Sequence, residues 1–279
     1  MAGRWRSLDV ERLWLGARRY AGALWACFKF LILYPCIRPE KTNRFAFGAL
    51  GLQDDLDYRH PSVPVREEHD VFPGIGEVDV TIGRMLPDEG SSVSFREMVL
   101  LCAIVRIEKA RRVFEIGTSM GVTAYNIASN LPEDGVLYTL DLPPVAGRPE
   151  MHTHYGVSIS DRKMIFADRE RRRFQGSAAE PRIRQLYGDS ATFDYASYKG
   201  TCDIVFVDGA HTYDYVKSDT RAAFELVKPG GLVIWHDYTD GHFWPDVHAF
   251  LSGLSGSRSV QRLRGSMLAF SRAGPERPA

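Results

Sequence analysis

The chain has 279 residues, of which 44% are hydrophobic and 25% charged, a composition that suits one globular α/β domain with an appendage. Its 35 basic and 35 acidic residues balance to a formal net charge of zero, so no overall field favours nucleic acid or an acidic partner. The four cysteines form no CxxC pair, which argues against a zinc site or a disulfide framework and favours a reducing cytosol.

Residues 1–45 are predicted to form a helical appendage. Residues 21–34, AGALWACFKFLILY, are strongly apolar but include Lys29, and the run is shorter than the roughly 20 residues that span a bilayer. No convincing signal-peptide cleavage site follows it. Two interpretations stay open: a helix packed on the domain or on a second subunit in a homo-oligomer, and a helix that touches a membrane surface through residues 14–34. The expected location is cytoplasmic, with membrane association as the open question.

Residues 46–91 carry several prolines and glycines, and we expect an irregular segment that wraps the domain or forms a lid. From residue 92 the pattern changes, and residues 92–279 are predicted to form the main domain. Its first helix is expected over 95–109, where apolar residues recur at helical spacing.

Strands and helices then alternate along the chain. Strands are predicted over 113–117, 136–141, 183–187, 202–208 and 232–235, helices over 122–130, 162–174 and 213–227, and an antiparallel strand pair over 259–263 and 266–270. Such alternation is typical of a parallel sheet covered by helices on both faces. We therefore expect a Rossmann-like, doubly wound α/β fold with a mostly parallel seven-stranded sheet and an antiparallel C-terminal strand.

Residues 113–128, VFEIGTSMGVTAYNIA, predict a buried strand, a glycine turn and the start of a helix. A turn of this kind lets a ligand approach the backbone and offers it free N–H groups. The spacing Gly117-x-x-x-Gly121 differs from the G-x-G-x-x-G of dinucleotide sites, because Ser119 stands where the middle glycine would be and the third glycine is also missing. The turn therefore favours a nucleoside without a pyrophosphate.

Polar residues follow each predicted strand, and in open α/β sheets ligands bind at the carboxyl ends of the strands. Asp141 lies about twenty residues after the glycine turn, where a carboxylate can accept hydrogen bonds from ribose hydroxyls. Asp189 could accept from an adenine amine, or it could cap the turn that follows it.

The motifs EIGTSMG, TLD, GDS, CDIVFVDGAHTYDYVKSD, KPGG and WHDY, in this order, resemble class I S-adenosylmethionine-dependent methyltransferases. The branch they resemble is that of small-molecule and sugar O-methyltransferases with a D-G-x-H-x-Y motif, and the likeness covers residues 92–272. It implies S-adenosylmethionine as cofactor. The cofactor-binding residues it implies are Glu115, Gly117, Thr118, Ser119, Gly121, Asp141, Leu142, Asp189, Ser190 and Asp208.

The resemblance also implies transfer of a methyl group to a hydroxyl, which must be deprotonated or polarised first. Asp208 and Asp237 follow neighbouring predicted strands, and two carboxylates with waters suit Mg²⁺. Tyr238 departs from the Asp or Asn that often follows in metal-dependent relatives, so a metal is one of two alternatives. The other is His211, whose imidazole is suited to act as a general base near neutral pH.

Several neighbouring polar residues have less specific interpretations. His211 could instead cap the following helix or orient Asp208, and His236 is expected to be a core histidine or one that supports the site. Asp219 is expected to face solvent or to brace the loop, and the charged run 169–173 to form a solvated helix face.

The sequence thus predicts a methyltransferase whose catalytic residues are His211 and Asp208, whose metal ligands, if it has a metal, are Asp208 and Asp237, and whose acceptor is a small molecule or glycan, with a sugar preferred. Nucleic acid is not an expected partner. Two other classes stay open, since a fold does not fix its chemistry: a hydroxylase or oxidoreductase on this scaffold, and a non-catalytic binding protein.

Overall fold

The computed structural model describes residues 63–85, 93–143, 153–165, 172–239 and 243–274. The predicted appendage over 1–45 and the candidate membrane contact at 14–34 lie outside these ranges, and both stay predictions. Of the helices in the described ranges, none has the length and apolar content to cross a membrane.

The described residues form one eight-stranded mixed sheet in the order β1-β7-β8-β6-β5-β2-β3-β4. Neighbours pair in parallel except at β8, which runs antiparallel to both β6 and β7. The strands are β1 Val65–Arg66, β2 Arg112–Ile116, β3 Val136–Asp141, β4 Ile183–Tyr187, β5 Cys202–Val207, β6 Val227–Trp235, β7 Gln261–Leu263 and β8 Ala269–Arg272.

The predicted α/β fold with a mostly parallel sheet and an antiparallel strand near the C-terminus is confirmed. The count of seven strands was one too low, because β1 adds a two-residue edge strand within the segment that was expected to be irregular. A strand this short has no periodicity that a sequence could show.

Six α-helices lie in the described ranges: α1 Glu68–Val71, α2 Phe95–Ile107, α3 Val122–Asn130, α4 Ile159–Ile165, α5 Tyr213–Leu226 and α6 Pro245–Leu254. The helix predicted over 162–174 was wrong in its bounds, since α4 begins at Ile159 and residues 173–176 form a turn. The strand predicted over 232–235 was too short, because β6 already begins at Val227, directly after α5 ends.

Both faces of the sheet are buried, as expected of parallel strands that carry helices on each side. Successive residues of β2 enter opposite cores: Val113 packs in a cluster with α2 and α3, and Phe114 in a cluster with α5 and α6. The parallel strands β2 to β6 therefore present their carboxyl ends along one edge, where the polar residues singled out in the sequence follow them.

Candidate active site

The glycine turn packs directly against the end of β5. Gly117, Ser119 and Gly121 all have positive φ, at 100°, 48° and 75°. A Cβ at Gly117 would overlap the carbonyl oxygen of Asp208, so only glycine fits there. Ser119 adopts the left-handed conformation although it replaces a glycine, which shows that the turn keeps a glycine-like path.

Asp141 braces this turn from the end of β3. Its Oδ2 accepts a hydrogen bond from the Ser119 backbone N–H at 2.9 Å, and its Oδ1 accepts from the Leu142 N–H at 2.8 Å. The Arg172 guanidinium lies 3.3 Å from Asp141 Oδ2 and also donates to the Ser119 carbonyl.

Arg172 corrects one expectation from the sequence. Its side chain is only 3% exposed, so it is no part of a solvated helix face, and Arg172 itself lies in no helix. A buried guanidinium needs a charge partner, and Asp141 supplies it. Residues 169–171 lie outside the described ranges.

Behind the turn, a buried polar network links β2, β3 and β4. Thr139 donates to Glu115 Oε2 at 2.5 Å, and its hydroxyl lies 2.6 Å from that of Thr118, which also accepts from Gln185 at 3.0 Å. Burial raises the pKa of Glu115 well above its usual range. The network fixes the turn from inside, and Glu115 Oε1 is left without a hydrogen-bond partner in the described structure.

Asp189 lies after β4, on the far side of the turn. Its Oδ1 accepts from the Ala191 N–H at 2.9 Å, which is the capping contact considered from the sequence. Its Oδ2 accepts from the Tyr215 hydroxyl and the His154 N–H, both at 2.7 Å, and the carbonyl of the adjacent Ser190 accepts from Tyr195. Asp189 therefore ties α5 to the segment that precedes α4.

Asp208 and Asp237 follow the adjacent parallel strands β5 and β6, and the structure brings their carboxylates together as expected. His236 Nδ1 lies 3.2 Å from both Asp208 Oδ1 and Asp237 Oδ2, and its Nε2 lies 3.4 Å from Glu97. Burial opposes protonation of His236, but Asp208 and Asp237 raise its pKa well above the usual range. Asp237 has a φ of 61°, a strained value that such sites often hold.

His211 is held by two carboxylates. Its Nδ1 lies 2.5 Å from Asp161 Oδ1 and its Nε2 lies 2.7 Å from Asp237 Oδ2. The Trp244 ring stacks on the imidazole with centroids 3.8 Å apart. The alternative role as a helix cap does not apply, because Thr212 is the N-cap of α5, no side chain bonds there as a cap, and the Tyr213 N–H bonds to Asp246.

The charge state of His211 differs from the expectation of an ordinary imidazole. Burial lowers its pKa, but the hydrogen bonds to Asp161 and Asp237 raise it to about 10. Ionised carboxylates only accept, so both ring nitrogens donate in this structure. As a base, His211 therefore acts only after its Nε2 proton has left.

Asp208, His211 and Asp237 can each offer one ligand atom, and these atoms lie within 4.8 Å of one another. Glu97 and Asp161 bring the carboxylates around His211 and His236 to four, so negative charge is in excess even with both imidazoles protonated. The Tyr238 hydroxyl instead bonds to Ser252 at 3.0 Å.

Sequence reasoning missed Glu97, Asp161, Arg172 and Trp244. Ser94 and Glu97 form a capping box, a signal readable in the sequence that marks the start of α2. Nothing in that signal says that the same Glu97 carboxylate faces His236, which lies 139 residues away along the chain.

Asp219 is fully buried in α5. The expectation that it faces solvent was wrong. The alternative, that it braces the loop after β5, agrees with its position beneath Gly209, where an added Cβ would lie 2.8 Å from Asp219 Oδ2.

Burial raises the pKa of Asp219 to about 7, so the folded protein binds an extra proton between about pH 4 and pH 7. Wild-type stability should therefore fall relative to Asp219→Asn as pH rises through this window. We expect a relative loss of about 2 to 3 kcal/mol between pH 5 and pH 8, measured by urea denaturation. Parallel stability curves would show that the buried group does not titrate there.

Known proteins resemble this chain. A family model described as a methyltransferase domain matches residues 114–238. A predicted O-methyltransferase of Mycobacterium sp. (strain KMS) is 36% identical over 190 residues, which are 67% of this chain and 71% of the relative. One of Mycolicibacterium vanbaalenii is 28% identical over 190 residues, covering 67% and 70%. The O-methyltransferase TomG from Streptomyces achromogenes, solved with S-adenosylmethionine, is 22% identical with a TM-score of 0.47, covering 74% of this chain and 96% of that one.

Proposed function

Because the chain belongs to the class I S-adenosylmethionine-dependent O-methyltransferases, we propose that its cleft methylates a hydroxyl of a small molecule or glycan. The observation that carries the assignment of the site is the packing of Gly117 against Asp208. It makes the turn expected to hold the cofactor contiguous with the acid–base cluster of Asp208, His211 and Asp237. The cofactor site and the acid–base cluster would then form the two halves of one cleft.

The residues around the turn fit the cofactor. Asp141, Asp189 and Asp208 are acidic, which suits a cationic nucleoside and disfavours a pyrophosphate. Asp141 would take the ribose hydroxyls and Asp189 the adenine amine, while the turn from Gly117 to Gly121, with Thr118 and Ser119 between them, would give the close backbone approach. Leu142 and Ser190 flank the two aspartates. When bound, S-adenosylmethionine supplies a methyl group for in-line transfer from its sulfonium.

His211 and Asp237 would handle the proton of the acceptor hydroxyl. Nε2 of His211 faces the cluster and now donates to Asp237. It would receive the acceptor proton as a neutral ring, after its own Nε2 proton has passed to solvent. Asp208 and Asp237 would hold a cation such as Mg²⁺, which would polarise the acceptor oxygen and leave Nε2 of His211 free to take the proton.

The acceptor would lie beside an aromatic wall. Trp244 stacks on His211, and Phe243 before it is exposed. Ligand pockets are mostly lined by aromatic and apolar side chains with a few polar groups, and such a wall suits the apolar face of a ring. We prefer a sugar by the branch that the motifs resemble, and the apolar run over 21–34 would fit a lipid-linked acceptor.

Labelled S-adenosylmethionine, incubated with a catechol, an O-glycoside, and their amine and thiol analogues, tests the proposal. We expect a methyl ether and S-adenosylhomocysteine in equal amounts, with a lower rate in EDTA that Mg²⁺ restores. Methylation of the amine or thiol but not the hydroxyl would contradict it. Oxidised product without S-adenosylhomocysteine would favour the oxidoreductase alternative.

Asp141→Asn tests the cofactor half separately. The amide keeps the size of the side chain but removes the charge and one acceptor, so we expect S-adenosylhomocysteine to bind about tenfold more weakly, or about 1.4 kcal/mol. Isothermal titration calorimetry measures this, with the exposed Asp79→Asn as the matched control. Equal affinity in the two variants would remove Asp141 from the ribose site.

A further inference from the structure

We propose that Asp161 is a positioning residue that fixes the orientation and tautomer of His211, so that Nε2 faces Asp208 and Asp237. The inference rests on the function proposed above and deepens it. Asp161 belongs to α4, in a part of the chain where the sequence offers no motif.

The contact is built at two points. Asp161 Oδ1 accepts from His211 Nδ1 at 2.5 Å, and Asp161 Oδ2 accepts from the His211 backbone N–H at 3.2 Å. The Asp161 side chain is 6% exposed and that of His211 18%. One buried carboxylate therefore holds both the ring and the main chain of the same histidine.

Asp161 is also held in place by hydrogen bonds within its own segment. Its backbone N–H donates to the Ser158 hydroxyl at 3.0 Å, and its Oδ2 accepts from the Ser158 N–H at 3.2 Å. Thr212, next to His211, donates to the Gly156 carbonyl at 2.8 Å. The chain before and within α4 is thus docked on the loop that carries His211, and the imidazole is fixed further by the Trp244 ring.

The hydrogen bond to Asp161 determines which ring nitrogen of His211 is available to the acceptor. An ionised carboxylate can only accept, so Nδ1 must carry a proton wherever Asp161 holds it. When His211 is neutral, the lone pair is therefore on Nε2, the nitrogen beside Asp237. A carboxylate that orients a histidine in this way serves equally whether Nε2 takes a proton or holds a metal.

Asp161→Asn is the informative variant. The carboxylate accepts three N–H groups at its two oxygens, from Ser158, from the His211 backbone and from the ring. An amide has one oxygen, so if that oxygen keeps the two backbone groups, its NH₂ faces Nδ1. The NH₂ then demands a lone pair on Nδ1, so the ring keeps only its Nε2 proton, which is the wrong tautomer for the proposed role.

The first readout needs no acceptor. In protein with ¹⁵N-labelled histidine, a long-range ¹H–¹⁵N spectrum at fixed pH should show a proton on His211 Nδ1, assigned by its loss in His211→Gln. We expect this proton in wild type and in Asp214→Asn, an exposed aspartate of α5, and its loss in Asp161→Asn. Its persistence in Asp161→Asn would overturn the proposal.

The second readout uses the hydroxyl acceptor that is methylated fastest in the panel above. We expect Asp161→Asn to lower kcat about tenfold or more, with KM and S-adenosylhomocysteine affinity changed less than about twofold, and Asp161→Glu to recover part of the loss. An unchanged kcat would show that Asp161 does not position His211 for the reaction. A loss of kcat matched by a loss of cofactor binding would show that Asp161 acts on folding alone. If wild type methylates no hydroxyl, the proposed function fails while the spectrum still decides the role of Asp161.

Discussion

Gly117→Ala should destabilise the protein and abolish binding of S-adenosylhomocysteine. Gly117 has a φ of 100°, and a Cβ there would overlap the Asp208 carbonyl oxygen. The left-handed backbone costs a residue with a Cβ about 1 to 2 kcal/mol, and forcing extra atoms into a packed site adds about 1 to 3 kcal/mol. The turn can relieve the overlap only by moving away from β5, which opens the cofactor half of the cleft.

Gly200→Ala is the matched control for this substitution. Gly200 also has positive φ, at 64°, but an added Cβ there meets no atom within 4 Å. Gly200→Ala should therefore lose only the stability that the strained backbone costs, and cofactor binding should be unchanged. Urea denaturation and calorimetry on both variants separate the two effects. Equal stability losses with retained binding in Gly117→Ala would show that the turn does not need its contact with Asp208.

His211→Gln should lower turnover at least tenfold, and a base in this position can contribute about 10²- to 10⁴-fold. Glutamine can still hydrogen-bond in place of the ring, but it cannot accept a proton. Because His211 contacts Asp161, Asp237 and Trp244 rather than the glycine turn, affinity for S-adenosylhomocysteine should change less than about twofold.

Single-turnover and steady-state rates with the acceptor from the panel measure the effect, and calorimetry checks the cofactor. His69→Ala, whose side chain is 71% exposed in α1, is the control for losing an imidazole. Turnover within about twofold of wild type in His211→Gln would remove His211 from the mechanism.

The helices and strands that depend on local sequence pattern were predicted correctly. The bounds of β3, β4 and α3 agree with the prediction because a glycine or a proline stands within two residues of both ends of each element. The meeting of Asp208 with Asp237 could be predicted because parallel neighbours end at one edge of a sheet. For the same reason, Asp141 was expected beside the glycine turn.

Contacts made by the connection between β3 and β4 could not be predicted. Asp161 and His211 are 50 residues apart, and only the docking of α4 brings them together. Arg172 stands within a run of charged residues, a pattern that usually marks a solvated face, and its burial depends on Asp141. The raised pKa of His211 follows from the same contacts, so a sequence-based assignment of an ordinary imidazole had no way to include it.

A crystal structure with S-adenosylhomocysteine and Mn²⁺ tests most directly whether the cofactor site and the acid–base cluster share this cleft. We expect the ribose hydroxyls within hydrogen-bond distance of Asp141, the sulfur facing His211, and anomalous density among Asp208, His211 and Asp237. The nucleoside bound away from Asp141, or its sulfur directed away from His211 and Asp237, would contradict the account.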